Sequence, residues 1–260
     1  MRRLRRLVQK KALRWSEGVC VLEGPDLVDA ALRAQVEFEG LYLDVERSDT
    51  HTLALAERAE SQGVRVFALS PGVLEKISDA QSPQPVIAAV RFVPRSLMDI
   101  SLHGCVLIAH DVRDPGNVGT MIRTADAAGA TAVILSGHSV DPYNPKTLRA
   151  TAGSIFHVPV VLHHDLAEVL EACHRSGRRS FAAVVRGGVD HYRAPLGGDV
   201  ALVLGNESEG LDDAEISLCT DTVSISMVGA NESLNVAVAA SLLVFEAFHQ
   251  RGSGQPASTT

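Results

Sequence analysis

Five short apolar runs, separated by segments with helical spacing, constrain this chain more than any other feature. They cover residues 105–110, 132–135, 181–185, 200–204 and 222–227, and they are built mainly of Val, Ile, Leu and Ala. Runs without strict polar alternation suit strands buried on both faces of a parallel sheet. The expected class is therefore α/β. In open parallel sheets, ligand chemistry gathers in the loops that leave the carboxyl ends of strands. Three of these runs open into loops rich in polar residues, and those loops are where a function is to be sought.

A first α/β series precedes this one. Strands are expected at 18–22, 38–43, 64–69 and 86–92, and helices at 26–33 and 50–62. Leu53, Ala56, Glu57 and Glu60 keep helical spacing, and Gly63 follows as a C-terminal stop. Ser70-Pro71-Gly72 places a proline at the first turn of a further helix. Residues 94–101 begin with Pro and lack periodicity, so they read as a linker. The expected organisation is a domain over 1–93, a linker over 94–101, a second domain over 102–250 and a disordered Gly/Ser/Thr/Pro-rich tail over 251–260.

The net charge of −7 is unevenly spread. Arg2, Arg3, Arg5, Arg6, Lys10, Lys11 and Arg14 occur in the first fourteen residues with no acid, which leaves −14 for the remainder. Such a basic arm suits phosphate contact, and its bland alternative is the solvated start of a helix. No apolar run reaches the ~18 residues a membrane span needs. The basic start is not followed by an apolar core and a small-residue cleavage site, so no secretory signal is expected. Cys20, Cys105, Cys173 and Cys219 are far apart, with neither a zinc knuckle nor a disulfide framework in their spacing. A reducing cytoplasm is the simplest setting. His163, His164 and His174 read as a solvated loop and helix rather than a metal site, so no metal is expected.

The three loops carry the chemistry. In the first, Asn117 is placed to cap a helix over 118–128 whose buried stripe is Val118, Met121, Ile122 and Ala125. Arg123 projects from the opposite face, beside Gly119, Thr120 and Ala127, where a bulky partner has room. The second loop, Gly205-Asn206-Glu207, directly follows an apolar strand; the glycine permits close approach of a ligand. The third leaves a strand in which Val223, Ile225 and Met227 alternate with Ser224 and Ser226. It enters a last helix, over 233–248, through Ser233-Leu234-Asn235. Ser233 is the expected cap, and Asn235 is more than a cap requires. That helix is apolar on nearly every face, so it belongs at the centre of the fold or in a subunit interface.

These residues resemble the SpoU-type RNA ribose 2′-O-methyltransferases of the SPOUT superfamily. Asn117 followed by Arg123-Thr124-Ala125, then Gly205-Asn206-Glu207 with Gly210, then Ser233-Leu234-Asn235-Val236 match that family's three motifs in order. Asp141-Pro-Tyr-Asn-Pro-Lys146, Arg149 and Gly153 are also similar, and the N-terminal stretch through Glu23-Gly-Pro-Asp-Leu-Val resembles the family's RNA-substrate-binding domain. One departure is Ile225-Ser226-Met227, where the family usually has Ile-Pro-Met. The resemblance implies a C-terminal parallel-sheet domain with a deep trefoil knot, preceded by a smaller α/β RNA-binding domain. It implies S-adenosylmethionine held by Leu204, Gly205, Asn206, Ile225, Met227 and Leu234. Arg123, Asn117, Glu207, Ser233 and Asn235 would form the catalytic group, within a homodimer joined through the C-terminal domain. RNA would meet the basic arm together with Lys146 and Arg149, and ribosomal RNA is favoured over transfer RNA. No G-x-G-x-x-G follows a strand, which disfavours a dinucleotide-binding oxidoreductase. A non-catalytic RNA-binding protein of the same fold is the remaining alternative.

Overall fold

In the computed structural model the elements run in three groups. The first comprises α1 (Arg2–Gln9), α2 (Lys11–Glu17), β1 (Val19–Glu23), α3 (Pro25–Arg33), β2 (Phe38–Asp44), α4 (Thr50–Ser61), β3 (Val66–Leu69) and β4 (Val86–Arg91). The second comprises β5 (Cys105–His110), α5 (Pro115–Ala127), β6 (Ala132–Ser136), α6 (Pro145–Thr151), β7 (Val160–Leu162) and α7 (Leu166–Arg175). The third comprises β8 (Arg179–Ala183), β9 (Val189–Asp190), β10 (Val200–Leu204), α8 (Asp213–Ser217), β11 (Asp221–Ser224) and α9 (Val236–Ser253). The structure describes residues 1–101, 103–229 and 232–253.

Contacts divide the chain into two units. One holds residues 1–94 together with 141–157; the other holds 95–140 and the chain from 158 onward. The first has a four-stranded sheet in the order β1-β4-β2-β3, with β4 antiparallel to both neighbours and β3 parallel to β2. Both faces carry packed side chains over β1 and β4, and the two-residue period of the strands divides them. Cys20, Leu22, Ala88 and Val90 pack with α3 and α4 on one side. Val19, Val21, Ile87 and Ala89 meet Leu4, Leu7 and Val8 of α1 on the other.

Three expectations change here. The segment 141–157, expected within the second domain, packs with the first unit, where Tyr143, Leu148, Ile155 and Phe156 join the α3/α4 core. Arg14, expected in a phosphate-binding arm, is 2% exposed and internal. Its Nε and Nη2 donate to Asp141 Oδ2 at 3.0 and 2.7 Å, and Nη1 donates to the carbonyls of Leu7 and Val8. Trp15 Nε1 donates to the other carboxylate oxygen at 3.1 Å, so the buried charge is paired and its lone pairs are used. The helix expected after Pro71 shrinks to a single tight turn at Leu74–Lys76. Gly72, at φ +78°, holds a left-handed conformation that an α-helix cannot continue through.

The second unit has a seven-stranded sheet in the order β7-β6-β5-β10-β8-β11-β9, and every paired neighbour is parallel. Strands β5 and β10, at its centre, are buried at every residue, as the continuous apolar runs require. The segment expected as a linker adheres to this unit: Ser96 and Asp99 cap a short turn, and Leu97 and Ile100 pack on the core beside α7. Residues 251–253, expected in a disordered tail, complete α9; residues 254–260 lie outside the described residues. Among the described residues, no helix is long and apolar enough to cross a membrane, and no cluster of His, Cys, Asp or Glu is arranged to hold a metal ion.

Candidate active site

The carboxyl ends of β5, β10 and β11 bring parts of the three loops together. Asp114, not Asn117, caps α5: its carboxylate accepts from the Asn117 amide at 2.8 Å. Asp114 followed by Pro115 at the first helical position is a start signal readable in the sequence, and it lies three residues before the expected one. Moving the cap back leaves the Asn117 side chain free for other work. Its Nδ2 donates to Glu207 Oε1 at 3.1 Å, and its Oδ1 accepts from Asn235 Nδ2 at 3.0 Å. One residue from each loop thus joins a single relay, Asn235 to Asn117 to Glu207.

The ends of the relay are fixed by backbone. Glu207 also accepts from the amides of Asp114 at 3.0 Å and Arg113 at 3.3 Å. Burial pushes its carboxyl pKa up, but the bonds from Asn117, Asp114 and Arg113 outweigh that, and the group sits below the ordinary glutamate value. At neutral pH it is a carboxylate. Asn235, not Ser233, caps α9; its Oδ1 accepts from the amides of Ala237 and Val238 at 2.9 and 3.3 Å. Ser233 lies before the helix, with its side chain exposed.

Beside the relay is a cavity of about 200 Å³. Leu204, Gly205, Asn206, Ile225, Met227 and Leu234, the six residues expected to hold a cofactor, all line it, as do Glu207 and Ser233. Sequence reasoning missed the remaining apolar wall, notably Val223, Val236 and Leu243, because these read only as core positions. It also missed Asp111, whose carbonyl accepts from Asn206 Nδ2 at 2.9 Å and holds the second loop against the first. Gly205 serves the loop itself. A Cβ there would strike the backbone of Gly210 and Leu211, and Asn206 and Gly210 exchange backbone hydrogen bonds of 3.1 and 3.0 Å across the turn.

Two expected residues need comment. Ser226, which stands where the resembling family has proline, donates its hydroxyl to Asp190 at the end of β9, while Ser224 donates to the Gly188 carbonyl at 3.0 Å. Hydrogen bonds thus tether the third loop to the edge strand. Arg123 is exposed and is not part of the cavity wall of its own chain. Expected in one catalytic group with Asn117, Glu207, Ser233 and Asn235, it does not join the Asn235–Asn117–Glu207 relay of its own chain. Of the basic residues, Arg2, Arg5, Arg6, Lys10, Lys11 and Lys146 are exposed. Arg3 is exposed too but pairs with Glu17 and Glu39, and the half-buried Arg149 pairs with Glu23 and Asp79.

Known proteins match both parts of the chain. Residues 104–245 match the SpoU rRNA Methylase family, and residues 1–88 match the MRM3-like substrate binding domain. The chain is 36% identical over 235 residues to the 23S rRNA (guanosine(2553)-2′-O)-methyltransferase RlmP of Bacillus subtilis, spanning 89% of this chain and 88% of that protein. It is 32% identical over 241 residues to the 23S rRNA (guanosine-2′-O-)-methyltransferase RlmB of Escherichia coli K12, spanning 89% and 98%. Among solved structures, the SpoU methyltransferase AviRb from Streptomyces viridochromogenes in complex with AdoMet superposes with a TM-score of 0.85 at 30% identity, covering 98% of each chain. By its matched domain, its relatives and its fold, this chain belongs to the SpoU rRNA methylase family.

Proposed function

We propose that this protein methylates a ribose 2′-hydroxyl of large-subunit ribosomal RNA, taking the methyl group from S-adenosylmethionine. The observation that carries the reading is the relay Asn235–Asn117–Glu207 set beside an apolar cavity. The relatives RlmP and RlmB, named for 23S rRNA, favour ribosomal over transfer RNA. The cavity fits the donor's chemistry: apolar walls suit a purine, and a few polar groups at the rim set orientation. Among the described residues, the amides of Met227 and Leu234 donate to no protein acceptor, so they are available to a hydrogen-bonding ligand.

Bound there, S-adenosylmethionine supplies an electrophilic methyl on a positively charged sulfur. Glu207, ionised and on the cavity wall, offers the negative charge that complements it. Asn117 and Asn235 hold Glu207 and the start of α9 in fixed positions; alignment for in-line attack is worth up to ~7–11 kcal/mol. Arg123 steadies negative charge growing on the ribose oxygen and orients the adjoining phosphate; a guanidinium stays protonated in proteins and is not a base.

The protein works as a homodimer, with Arg123 of a second copy completing each site. The exposed apolar stripe Val238, Leu242, Phe245 and Phe248 on α9 supports that assembly. The family's trefoil knot lies in the segment from β10 to α9. The return of β10 to the sheet centre, between β5 and β8, supports that placement. The cations of α1 and α2 with Lys146 give the first unit an RNA-facing surface, in a reducing cytoplasm.

Arg123→Ala tests the reading directly. It should remove detectable methyl transfer to ribosomal RNA while calorimetry finds S-adenosylmethionine bound as tightly as before. Normal turnover by that variant removes Arg123 from the mechanism. A wild-type protein that binds RNA but no methyl donor makes it a non-catalytic RNA-binding protein.

A further inference from the structure

The sheet of the first unit carries a stacked aromatic pair, one ring exposed and the other half-buried, that the site described above does not use. Phe67, on edge strand β3, is 41% exposed. Tyr42 is its register partner on β2, and the two rings stack with centroids 5.1 Å apart and planes 16° from parallel. Gly40 makes the arrangement possible. A Cβ at that position would lie 3.0 Å from Phe67 Cε2 and 3.4 Å from Tyr42 Oη, so the Phe67 ring lies close over the strand.

Cations lie on the same face of the sheet. Tyr42 packs against the cluster that contains Leu4, Leu7 and Val8, which puts α1 on the same face of the sheet. Arg3 of α1 reaches Glu39, the neighbour of Gly40, at 2.7 Å. Arg65 precedes Phe67 by two residues, and its carbonyl accepts from Leu41 at 2.9 Å, so strand pairing extends to it and its side chain shares the Phe67 face. Arg65 is exposed, as are Arg2, Arg5, Arg6 and Lys10, and none of these five forms an ion pair among the described residues.

We propose that Tyr42 and Phe67 form a stacking platform for an unpaired base of the RNA substrate, with Arg65 and the α1 cations taking the flanking phosphates. The proposal rests on the RNA-methylating reading above and adds where the first unit grips its substrate. An exposed ring stacked on a second ring, with an unpaired guanidinium two residues away on the same strand, is a combination that single-stranded RNA recognition employs. A protein partner would favour a wider apolar patch, whereas this edge carries the exposed Arg65 beside the ring, which suits a polyanion.

The test measures affinity of the full-length chain for protein-free 23S ribosomal RNA at several salt concentrations. Loss of a stacked base weakens binding by roughly 5- to 150-fold, so Phe67→Ala should show a loss in that range with its salt slope unchanged. Phe67→Leu, apolar but unable to stack, should lose nearly as much, and Phe67→Tyr should keep the affinity. Arg65→Ala should reduce the salt slope instead. In Phe67→Trp, indole emission should be quenched on adding RNA beyond any change that Trp15 gives in the wild type. S-adenosylmethionine binding should be equal in all five variants. Wild-type affinity in both Phe67→Ala and Phe67→Leu overturns the platform, as does wild-type affinity in Phe67→Leu alone, which assigns the ring a packing role. A wild-type protein that binds no RNA overturns this inference together with the functional reading; RNA binding that is indifferent to Phe67 overturns this inference alone.

Discussion

Asn235 uses the two ends of one amide for different tasks. Its oxygen caps α9 and its nitrogen donates to Asn117, so helix stability and site geometry meet in one side chain. Asn235→Asp separates them. Aspartate caps as well as asparagine, so thermal unfolding should move little. It has no N–H to give Asn117, and it brings a second carboxylate towards Glu207, so methyl transfer should fall by about two orders of magnitude. A variant that unfolds early but turns over normally would reverse that division. Ser226 is the second residue of this kind. Its bond to Asp190 is the main reason the Asp190 carboxyl lies below its ordinary pKa, with the Tyr192 amide adding to it. A depressed folded pKa means that the tether holds at neutral pH and is lost as pH falls through the folded value. Ser226→Ala should therefore raise KM for S-adenosylmethionine several-fold at neutral pH with kcat little changed, and the gap from wild type should narrow in acid. Ser226→Pro, which stiffens the same loop by fixing φ, should recover most of the loss. Equal KM values for the alanine variant and the wild type would show that the tether does not shape the cavity.

At the scale of elements, what was legible in the sequence depended on how local the signal was. The strands 105–110 and 200–204 have their bounds in the apolar runs themselves, and the structure keeps both. The helix starts near 117 and 233 were each displaced by two or three residues. A capping side chain is chosen by the backbone that forms, and Asp114 and Asn235 offer the same chemistry a few residues away. Strand β9 was not legible at all: two residues, Val189 and Asp190, carry no period, and only pairing with β11 defines them. Nor was the fate of Arg14. A run of seven cations reads as one solvated arm, yet only long-range contact with Asp141, 127 residues away, tells which cation is withdrawn from solvent. Of the site, the residues that could be read were those whose polarity is out of place at a strand end or helix start, such as Glu207 and Asn235. The apolar cavity wall was silent because a cavity-facing Val or Leu looks like any core residue. The withdrawn arginine can be checked. Asp141→Ala would leave a buried guanidinium unpaired, which costs about 3–5 kcal/mol. The denaturant midpoint of the first unit should drop accordingly, whereas Arg2→Ala, exposed on the neighbouring α1, should leave it within experimental error. Equal midpoints for the two variants would refute a buried, paired Arg14.

At the scale of the whole molecule, α9 has two faces that its composition does not distinguish. Val236, Ala237, Ala240, Leu243, Val244 and Ala247 are buried, while Val238, Leu242, Phe245 and Phe248 are open. Thr124 and Ser241 join α5 to α9 through a 3.0 Å hydrogen bond, so the helix bearing Arg123 and the helix bearing the open stripe move as one piece. A two-fold contact through such a stripe is self-complementary, and it would carry Arg123 of each copy towards the other copy. That arrangement makes a quantitative demand. Arg123→Ala and Glu207→Ala should each be inactive as pure dimers. When equal amounts are unfolded and refolded together, half of the dimers contain one copy of each variant. In such a dimer, one site combines both substitutions and the other has an intact Arg123 from one chain with an intact Glu207 from the other. The mixture should therefore regain about a quarter of wild-type methyl transfer. A site built within one chain predicts no recovery at any mixing ratio. Phe245→Glu, which buries a charge in the proposed contact, should yield monomers by sedimentation and abolish the recovery; full activity in a monomeric Phe245→Glu protein would remove the second copy from the chemistry.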